Sequence, residues 1–320
     1  MTTVFSPLPA SLRIGVIRGG PTSEYEKSIL SGGKVLEHLH ETHKPIDIFI
    51  SRDGKWHIQG VERPPERILK NVDVVWNAVH GEFGEDGQIQ DILGRHGVPY
   101  TGSLKYQSAI ALNKQATKEM AKTIGIRTPI FSTIRQNDKV QKKIKEIIHS
   151  IPYPLMVKPV RGGSSIGLRI AKSQTELLQS IEAILTTGSG VLVEEYIPGK
   201  NASCGVISYF RGDDLYTLPP VEIITGVTEK EDREVCPGNF SEAEKREIEK
   251  ISALIHGKLG LGHYSKSDFV VSPRRGIYFL EINTLPKFGN SSTLTKSLEA
   301  VGISTKEFIH HMISLALYKK

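Results

Sequence analysis

A chain of 320 residues is longer than one hydrophobic core usually spans, so two or three domains are expected. With 38% hydrophobic and 24% charged residues it reads as globular, and no apolar run approaches the roughly 18 residues that a membrane-spanning helix needs. The net charge of +6 and pI near 9.1 suit a polyanionic partner, either nucleic acid or a small molecule such as a nucleotide.

In chain order, Arg13 to Ile17 is a short apolar strand that runs through Arg18-Gly19-Gly20-Pro21-Thr22-Ser23 into a helix from Tyr25 to His40. Strand, glycine turn and helix open a doubly wound α/β domain, whose ligands bind beyond the carboxyl ends of the strands. Glu24, Glu26 and Ser28 fall in the helix's first turn, where negative charge offsets the dipole, so all three have a structural reading of their own. Val72 to Val79 is a second strand, ending at the tight loop His80-Gly81-Glu82-Phe83-Gly84-Glu85-Asp86-Gly87 before a helix from Gln88 to His96. His80 stands where a substrate could reach it, although a histidine at a strand end also serves as a structural hydrogen-bonding residue. Val98 to Ser103 reads as a strand leaving the first domain.

A helix from Ser108 to Ile124, carrying Lys114, enters the second domain. The basic run Lys139 to Lys145 lies on a helix whose other side holds Val140, Ile144, Ile147 and Ile148. No aromatic residues interleave with it, so it reads as a solvated face and not as a nucleic-acid surface. Leu155 to Pro159 is a strand whose Lys158 precedes Arg161-Gly162-Gly163-Ser164-Ser165-Ile166-Gly167. That loop is either a phosphate cradle, with Ser164 and Ser165 as hydroxyl donors, or a flexible hairpin tip. It is not a Walker loop, because the lysine comes before the glycines.

Val191 to Glu195 is an apolar strand that breaks into a connector at Tyr196-Ile197-Pro198-Gly199. Such an edge can offer a backbone carbonyl and amide to an adenine ring, while Glu194 and Glu195 also read as ordinary exposed carboxylates. Ser203 to Phe210 and Leu215 to Ile224 are strands around the turn Arg211-Gly212-Asp213-Asp214, and Gly226 to Asn239 is polar and loop-like. Ser241 and Glu244 form a capping box for a helix reaching Leu259, and a last helix runs from Ser304 to Tyr318. Met1-Thr2-Thr3-Val4 lacks a charged-then-apolar signal, which points to the cytoplasm, where Cys204 and Cys236 would stay reduced as small buried residues.

Chemistry concentrates near the C-terminal end, where Ser267 to Val271 and Gly276 to Ile282 form a hairpin around Ser272-Pro273-Arg274-Arg275. This places Asp268 and Glu281 near its open end. Period-two alternation puts Glu281 and Asn283 on one face, with Leu280 and Ile282 on the other. Two carboxylates and an amide oxygen then make either a hard-cation site of the kind Mg²⁺ uses with nucleotide phosphates, or a polar strand face in water.

Taken in order, a lysine before a glycine-serine loop, the Glu-Glu-x-Ile connector, and Asp with Glu-x-Asn resemble the ATP-grasp ligases. Ser23-Glu24-Tyr25-Glu26-Lys27-Ser28, the His80 to Gly87 block and Tyr100-Thr101-Gly102-Ser103 narrow the resemblance to the D-alanine:D-alanine ligase family, over nearly the whole chain. The resemblance implies an ATP-grasp fold preceded by a Rossmann-like α/β domain, with domains at 1–104, 105–193 and 194–320. It assigns Lys114 and Lys158 to the ATP phosphates, Glu194, Glu195 and Ile197 to adenine, and Asp268, Glu281 and Asn283 to two Mg²⁺ ions, with Mn²⁺ as a substitute. Glu26 would hold the ammonium of the first D-amino acid with Ser164 beside it, His80 would line the first pocket, and Ser292 would grip the second substrate's carboxylate. A homodimer is usual for the family.

The chain departs from the family pattern in four places. The catalytic arginine is Lys266, which keeps the charge without the bidentate fork. The glycine after Asn-Thr-x-Pro is Lys287, able to crowd the acceptor or bind an anionic one. The ribose-binding glutamate is Asn201. The stretch from Glu222 to Cys236 lacks the Lys-Tyr pair of the family's closing loop, which bears on water exclusion and acceptor choice.

Overall fold

The computed structural model describes residues 8, 9, 11–162, 167–225, 233–289 and 292–318. Its elements in order are β1 (Arg13–Gly19), α1 (Tyr25–Leu39), β2 (Lys44–Ile50), β3 (Trp56–Ile58), β4 (Val61–Glu62), α2 (Pro65–Leu69), β5 (Val74–Asn77) and α3 (Gln88–Arg95). There follow α4 (Lys105–Leu112), α5 (Lys114–Thr123), β6 (Phe131–Ile134), α6 (Val140–Ser150), β7 (Leu155–Pro159), β8 (Arg169–Ala171), α7 (Gln174–Leu185) and β9 (Val191–Glu195). The rest comprises β10 (Lys200–Phe210), β11 (Asp213–Thr217), β12 (Val221–Ile224), β13 (Arg233–Val235), α8 (Glu242–Lys258), β14 (Tyr264–Ser272), β15 (Gly276–Asn283), α9 (Thr293–Ala300) and α10 (Thr305–Tyr318).

Three sheets organise the chain. The first runs β4-β3-β2-β1-β5, with β1 parallel to both β2 and β5, so the carboxyl ends of β1 and β5 open on the same side. Its two faces are apolar because residues on β1 and β5 alternate between two cores. Ile17, Val75 and Val79 pack toward Ile89 and Leu93 on one side. Ile14, Val16, Val74 and Trp76 pack on the other with Phe308, Ile309, Met312 and Ile313 of α10. The last helix thus returns to the first sheet. The second sheet, β6-β9-β7-β8, is antiparallel and covered by α6 and α7, where Ile144, Ile147, Leu177 and Ile181 are fully buried. The third pairs β13-β12-β10-β14-β15, with β11 also on β10, and packs α8 and α5 against Phe269, Phe279 and Ile282.

Several elements differ from the sequence reading. The helix expected over Ser108 to Ile124 is two, because Asn113 is extended (φ −88°, ψ 99°) and its side chain accepts the Ala116 N–H at 3.2 Å. The strand expected over Leu215 to Ile224 is interrupted between β11 and β12, where Pro219 and Pro220 cannot donate to a ladder. Of Val98 to Ser103, only Tyr100 bridges, to Val75. The Ser241–Glu244 capping box is present, with Glu244 accepting the Ser241 N–H at 2.8 Å. Cys204 is buried and Cys236 half-buried, and both are free thiols. No helix among the described residues is long and apolar enough to cross a membrane.

His256 is fully buried between Ser208 Oγ (3.1 Å) and Ser265 Oγ (2.8 Å), and burial pushes both it and His263 down to about 4. Their ordinary pKa is about 6.5 in the unfolded chain, so between these values the unfolded state binds more protons. The stability they contribute is therefore complete above about pH 6.5 and is lost as pH falls toward 4. Chemical denaturation should show stability falling as pH drops from 6.5 toward 4, and no fall across this window would contradict it.

Candidate active site

The third sheet sets out the chemistry through register. Asp268 lies directly opposite Glu281, and Lys266 opposite Asn283, so these four side chains share one face of the β14–β15 hairpin. The register shifts between Asp268 and Phe269, where one step on β14 spans two on β15, so Leu280 is the extra residue of a bulge. This corrects the simple alternation: Phe279 and Ile282 both face the core against α8, whereas Leu280 packs with Tyr278, Val270 and Ile197. Those four form an apolar patch beside the connector after β9.

Opposite this face stand lysines from two other elements. The backbone N–H of Lys114, the first residue of α5, donates to Val160 O at 3.0 Å, which seats the helix at the end of β7. Its ammonium contacts Gly162 O and lies 3.5 Å from Glu281. Lys158 on β7 pairs with Glu194 at 2.9 Å, and Lys266 pairs with Asp268 at 3.0 Å. Burial alone would raise the Glu281 carboxyl, yet Lys114, Lys158, Lys266 and Lys118 together hold it at about 2. Asp268 Oδ1 is buried and has no hydrogen-bond partner.

The two glutamates of the connector are not exposed. Glu194 is buried between Lys118 (2.7 Å) and Lys158 (2.9 Å). Glu195 accepts the Ile130 N–H at 3.0 Å and pairs with Arg275, at the β14–β15 turn, at 2.9 Å. Both carboxylates are therefore occupied in charge pairs, and it is the connector's backbone, with Ile197, that borders the apolar patch. Asn201 lies next to this patch, opposite Val270 on β14.

A second cluster forms where β1, β5 and the β15–α9 connector meet. The Nδ1 of His80 contacts Leu285 O at 2.9 Å and its Nε2 contacts Ser31 Oγ at 2.8 Å, while Ser31 Oγ accepts the Phe288 N–H at 3.3 Å. A carbonyl can only accept, so Nδ1 carries the proton and Nε2 accepts from Ser31. Burial keeps this imidazole neutral, pushed down to about 4. Glu85 accepts the Gly81 N–H at 2.7 Å, and burial raises it to about 8, so its carboxyl is protonated at neutral pH. Gly84 must be glycine, since a Cβ there would lie 1.7 Å from Val79 O.

Glu26 does not join this cluster. Its side chain is 75% exposed and pairs with Arg52 at 2.8 Å. Glu24 is the carboxylate that enters: it is 5% exposed, lies 3.5 Å from Lys27, and its Oε1 comes within 3.3 Å of the point where a Gly81 Cβ would stand. Glu24 is the N-cap of α1 and Glu26 lies in its first turn, and the two side chains differ in exposure and partner, Lys27 for the buried Glu24 and Arg52 for the exposed Glu26. Residue type could not separate them; only the exact start of the helix does. Sequence reasoning assigns no site role to Glu24, Glu85 or Lys118, which the structure brings into these two clusters. Lys118 was signalled by its i, i+4 spacing from Lys114. Lys287 projects from the connector beside Lys27, and partial burial together with that ammonium lowers its pKa. Ser292 caps α9 by accepting the Thr295 N–H at 3.2 Å. Ser164 and Ser165 lie outside the described residues.

The family model described as "D-ala D-ala ligase C-terminus" matches residues 120–314, and that described as "D-ala D-ala ligase N-terminus" matches residues 59–103. The chain belongs to the D-alanine–D-alanine ligase family. The family's D-alanine–D-alanine ligase from Clostridium beijerinckii is 32% identical over 96% of this chain and 99% of its own length. That from Christiangramia forsetii is 30% identical over the same shares. Among solved structures, the VanG D-Ala:D-Ser ligase from Enterococcus faecalis superposes with a TM-score of 0.85 at 28% identity, covering 96% of this chain and 99% of that one. The D-alanine–D-alanine ligase from Bacillus anthracis complexed with ATP gives 0.78 at 26% identity, covering 96% and 97%. The fold is accordingly the ATP-grasp fold behind a Rossmann-like N-terminal unit.

If Glu24 serves the ligase pocket and Glu26 the surface, Glu24→Gln lowers kcat/KM for ATP-dependent phosphate release with D-alanine by about 10- to 100-fold, the worth of a hydrogen bond to a charged group. Glu26→Gln changes it by less than about threefold, as surface substitutions do. The reverse ranking would return Glu26 to the site.

Proposed function

We propose that this protein is an ATP-dependent ligase that joins D-alanine to a second D-amino acid through an acyl phosphate, D-alanyl-D-alanine for peptidoglycan precursors being the product its family membership supports. The observation that carries this reading is the pairing of Asp268 with Glu281 on one face of the β14–β15 hairpin, with Asn283 beside it and Lys114, Lys158 and Lys266 converging on it. Such a face suits a triphosphate and its charge-neutralising partners. A cytoplasmic location accords with the use of ATP.

Among the described residues no three Asp, Glu, His or Cys side chains are grouped so as to hold a metal ion between them. A sparse oxygen set fits Mg²⁺ even so, because that ion takes few protein ligands and completes its shell with water and phosphate. Asp268 Oδ1, buried and without a hydrogen-bond partner, is an acceptor in want of a cation, and Glu281 stands across from it. Asp268, Glu281 and Asn283 would hold the ion, which when bound neutralises charge on the transferring phosphoryl group.

The protein's own residues divide the remaining work. The apolar patch of Ile197, Val270, Tyr278 and Leu280 takes the adenine, with the connector backbone as its polar edge. Lys114 and Lys158 face the phosphates, and the serines of the loop at 163–166 lie next in sequence. Glu24 holds the ammonium of the first D-amino acid beside neutral His80. A carboxylate oxygen of that amino acid attacks the γ-phosphorus and ADP departs. The amine of the second substrate then attacks the acyl carbon, forms the amide, loses a proton and expels inorganic phosphate. Lys266 supplies the positive charge near this centre, and Ser292 the contact for the acceptor's carboxylate.

Lys287 favours a second reading, an acceptor other than D-alanine, because it puts a long cation beside Lys27 at the edge of the first pocket. Phosphate release with D-alanine alone and with D-alanine paired to other D-amino or D-hydroxy acids separates the readings. Release with D-alanine alone supports the leading one, release only with a mixed pair the second, and silence across the panel would remove both. Glu281→Ala should abolish turnover with near-UV circular dichroism unchanged, and retained activity would remove the metal assignment. Lys287→Gly should raise the rate or widen the acceptor range, and unchanged kinetics would make that lysine a bystander.

A further inference from the structure

We infer that Lys118 and Glu194 are positioning residues that fix the ammonium of Lys158 toward the nucleotide phosphates. The inference rests on the ATP site proposed above.

Lys118 cannot touch a nucleotide itself. Its side chain is fully excluded from solvent, with its ammonium 2.8 Å from Thr128 Oγ1 and 2.7 Å from Glu194 Oε1. Glu194 is 2% exposed and holds Lys158 on its other oxygen, Oε2, at 2.9 Å. One carboxylate thus bridges two lysines, one oxygen to each. On the second sheet Met156 lies opposite Glu194, so Lys158, two residues further along β7, sits on the same face as Glu194 and diagonal to it. Phe131 lies opposite Glu194 on its other side, with the ammonium of Lys118 6.0 Å from its ring. Helix α5 packs on β15 of the third sheet, and the i, i+4 spacing puts both lysines on one face of it, Lys114 beside Glu281 and Lys118 one turn on against Glu194.

An ion triad of this kind is a poor device for stability. Removing two ammonium groups and a carboxylate from water costs more than their mutual attraction commonly returns, and an apolar side chain of similar length would pack at less cost. What the triad does achieve is direction. Lys118, itself anchored by Thr128, occupies Oε1 and stops the carboxylate from turning, which leaves only Oε2 for Lys158. Without Lys118, both oxygens of Glu194 would be free to chelate Lys158 and draw it back from the cleft. With two lysines on one glutamate, the triad also keeps a net positive charge under the phosphate site. Burial lowers Lys118 to about 8, so it remains charged at neutral pH, while the Glu194 carboxyl, raised by burial, is held below its ordinary value by both lysines.

The test separates phosphate binding from adenine binding by titration calorimetry with a non-hydrolysable ATP analogue and with adenosine. In Lys118→Met, and in the isosteric Glu194→Gln, affinity for the analogue should fall tenfold or more while affinity for adenosine stays within twofold of the original. Should a triad variant fail to fold, Thr128→Val removes only the hydroxyl anchoring Lys118 and should shift the same ratio of affinities in the same direction. Equal weakening of both ligands, or no change in either, would make the triad merely structural and overturn the inference. If the unaltered protein binds no ATP analogue at all, the ATP site itself is wrong and the triad has nothing to position.

Discussion

The structure is constrained above all by the need to keep lysines and carboxylates together in a poorly solvated cleft. Lys114 with Glu281, Lys266 with Asp268, and Lys118 and Lys158 with Glu194 come from one helix and two different sheets. An isolated charge in such surroundings would be several kcal/mol worse than in water, so each sign is tolerable only while the opposite one is held nearby. Rigid strands provide that assurance. Asp268 and Glu281 face one another because of a ladder register, and Lys158 and Glu194 because of a neighbouring pair in a second ladder. The Arg275–Glu195 pair then ties the hairpin turn of the third sheet to the end of β9 in the second.

The first pocket solves a different problem, since its groups are kept mostly uncharged. His80 has both ring nitrogens satisfied as a neutral base, and Glu85 is held as the acid by burial. Glu24 brings the negative charge, with Lys27 close by. The connector from Leu285 to Phe288 joins the two regions, because its backbone is pinned by Asn283 at one end and by His80 and Ser31 along its length. Phe288 anchors it below, stacked on Phe308 of the returning C-terminal helix. A change in that helix would therefore reach the pocket through packing.

Much of this was legible from residue order. The Asp268–Glu281–Asn283 face followed from two alternating strands around a short turn, and the strand–glycine–helix opening from its apolar run and glycines. What escaped were matters of phase. Glu24 and Glu26 differ only in where the first helical turn begins, and a shift of two residues reverses which one is buried. The bulge at Leu280 changes which side chains share the apolar patch beside the connector, and nothing in Tyr278-Phe279-Leu280-Glu281 announces it. Glu194 and Glu195 look alike in sequence, yet their partners, Lys118 with Lys158 and Arg275, come from segments remote in the chain. Long-range charge pairing leaves no periodicity to read.

Titration of the purified protein with a non-hydrolysable ATP analogue, in the presence of Mg²⁺ and again after its removal with EDTA, tests the arrangement most directly. Binding that is tight with the ion and at least tenfold weaker without it is the predicted result. An affinity indifferent to Mg²⁺ would mean that the carboxylate face across from the lysines does not hold a cation against the triphosphate.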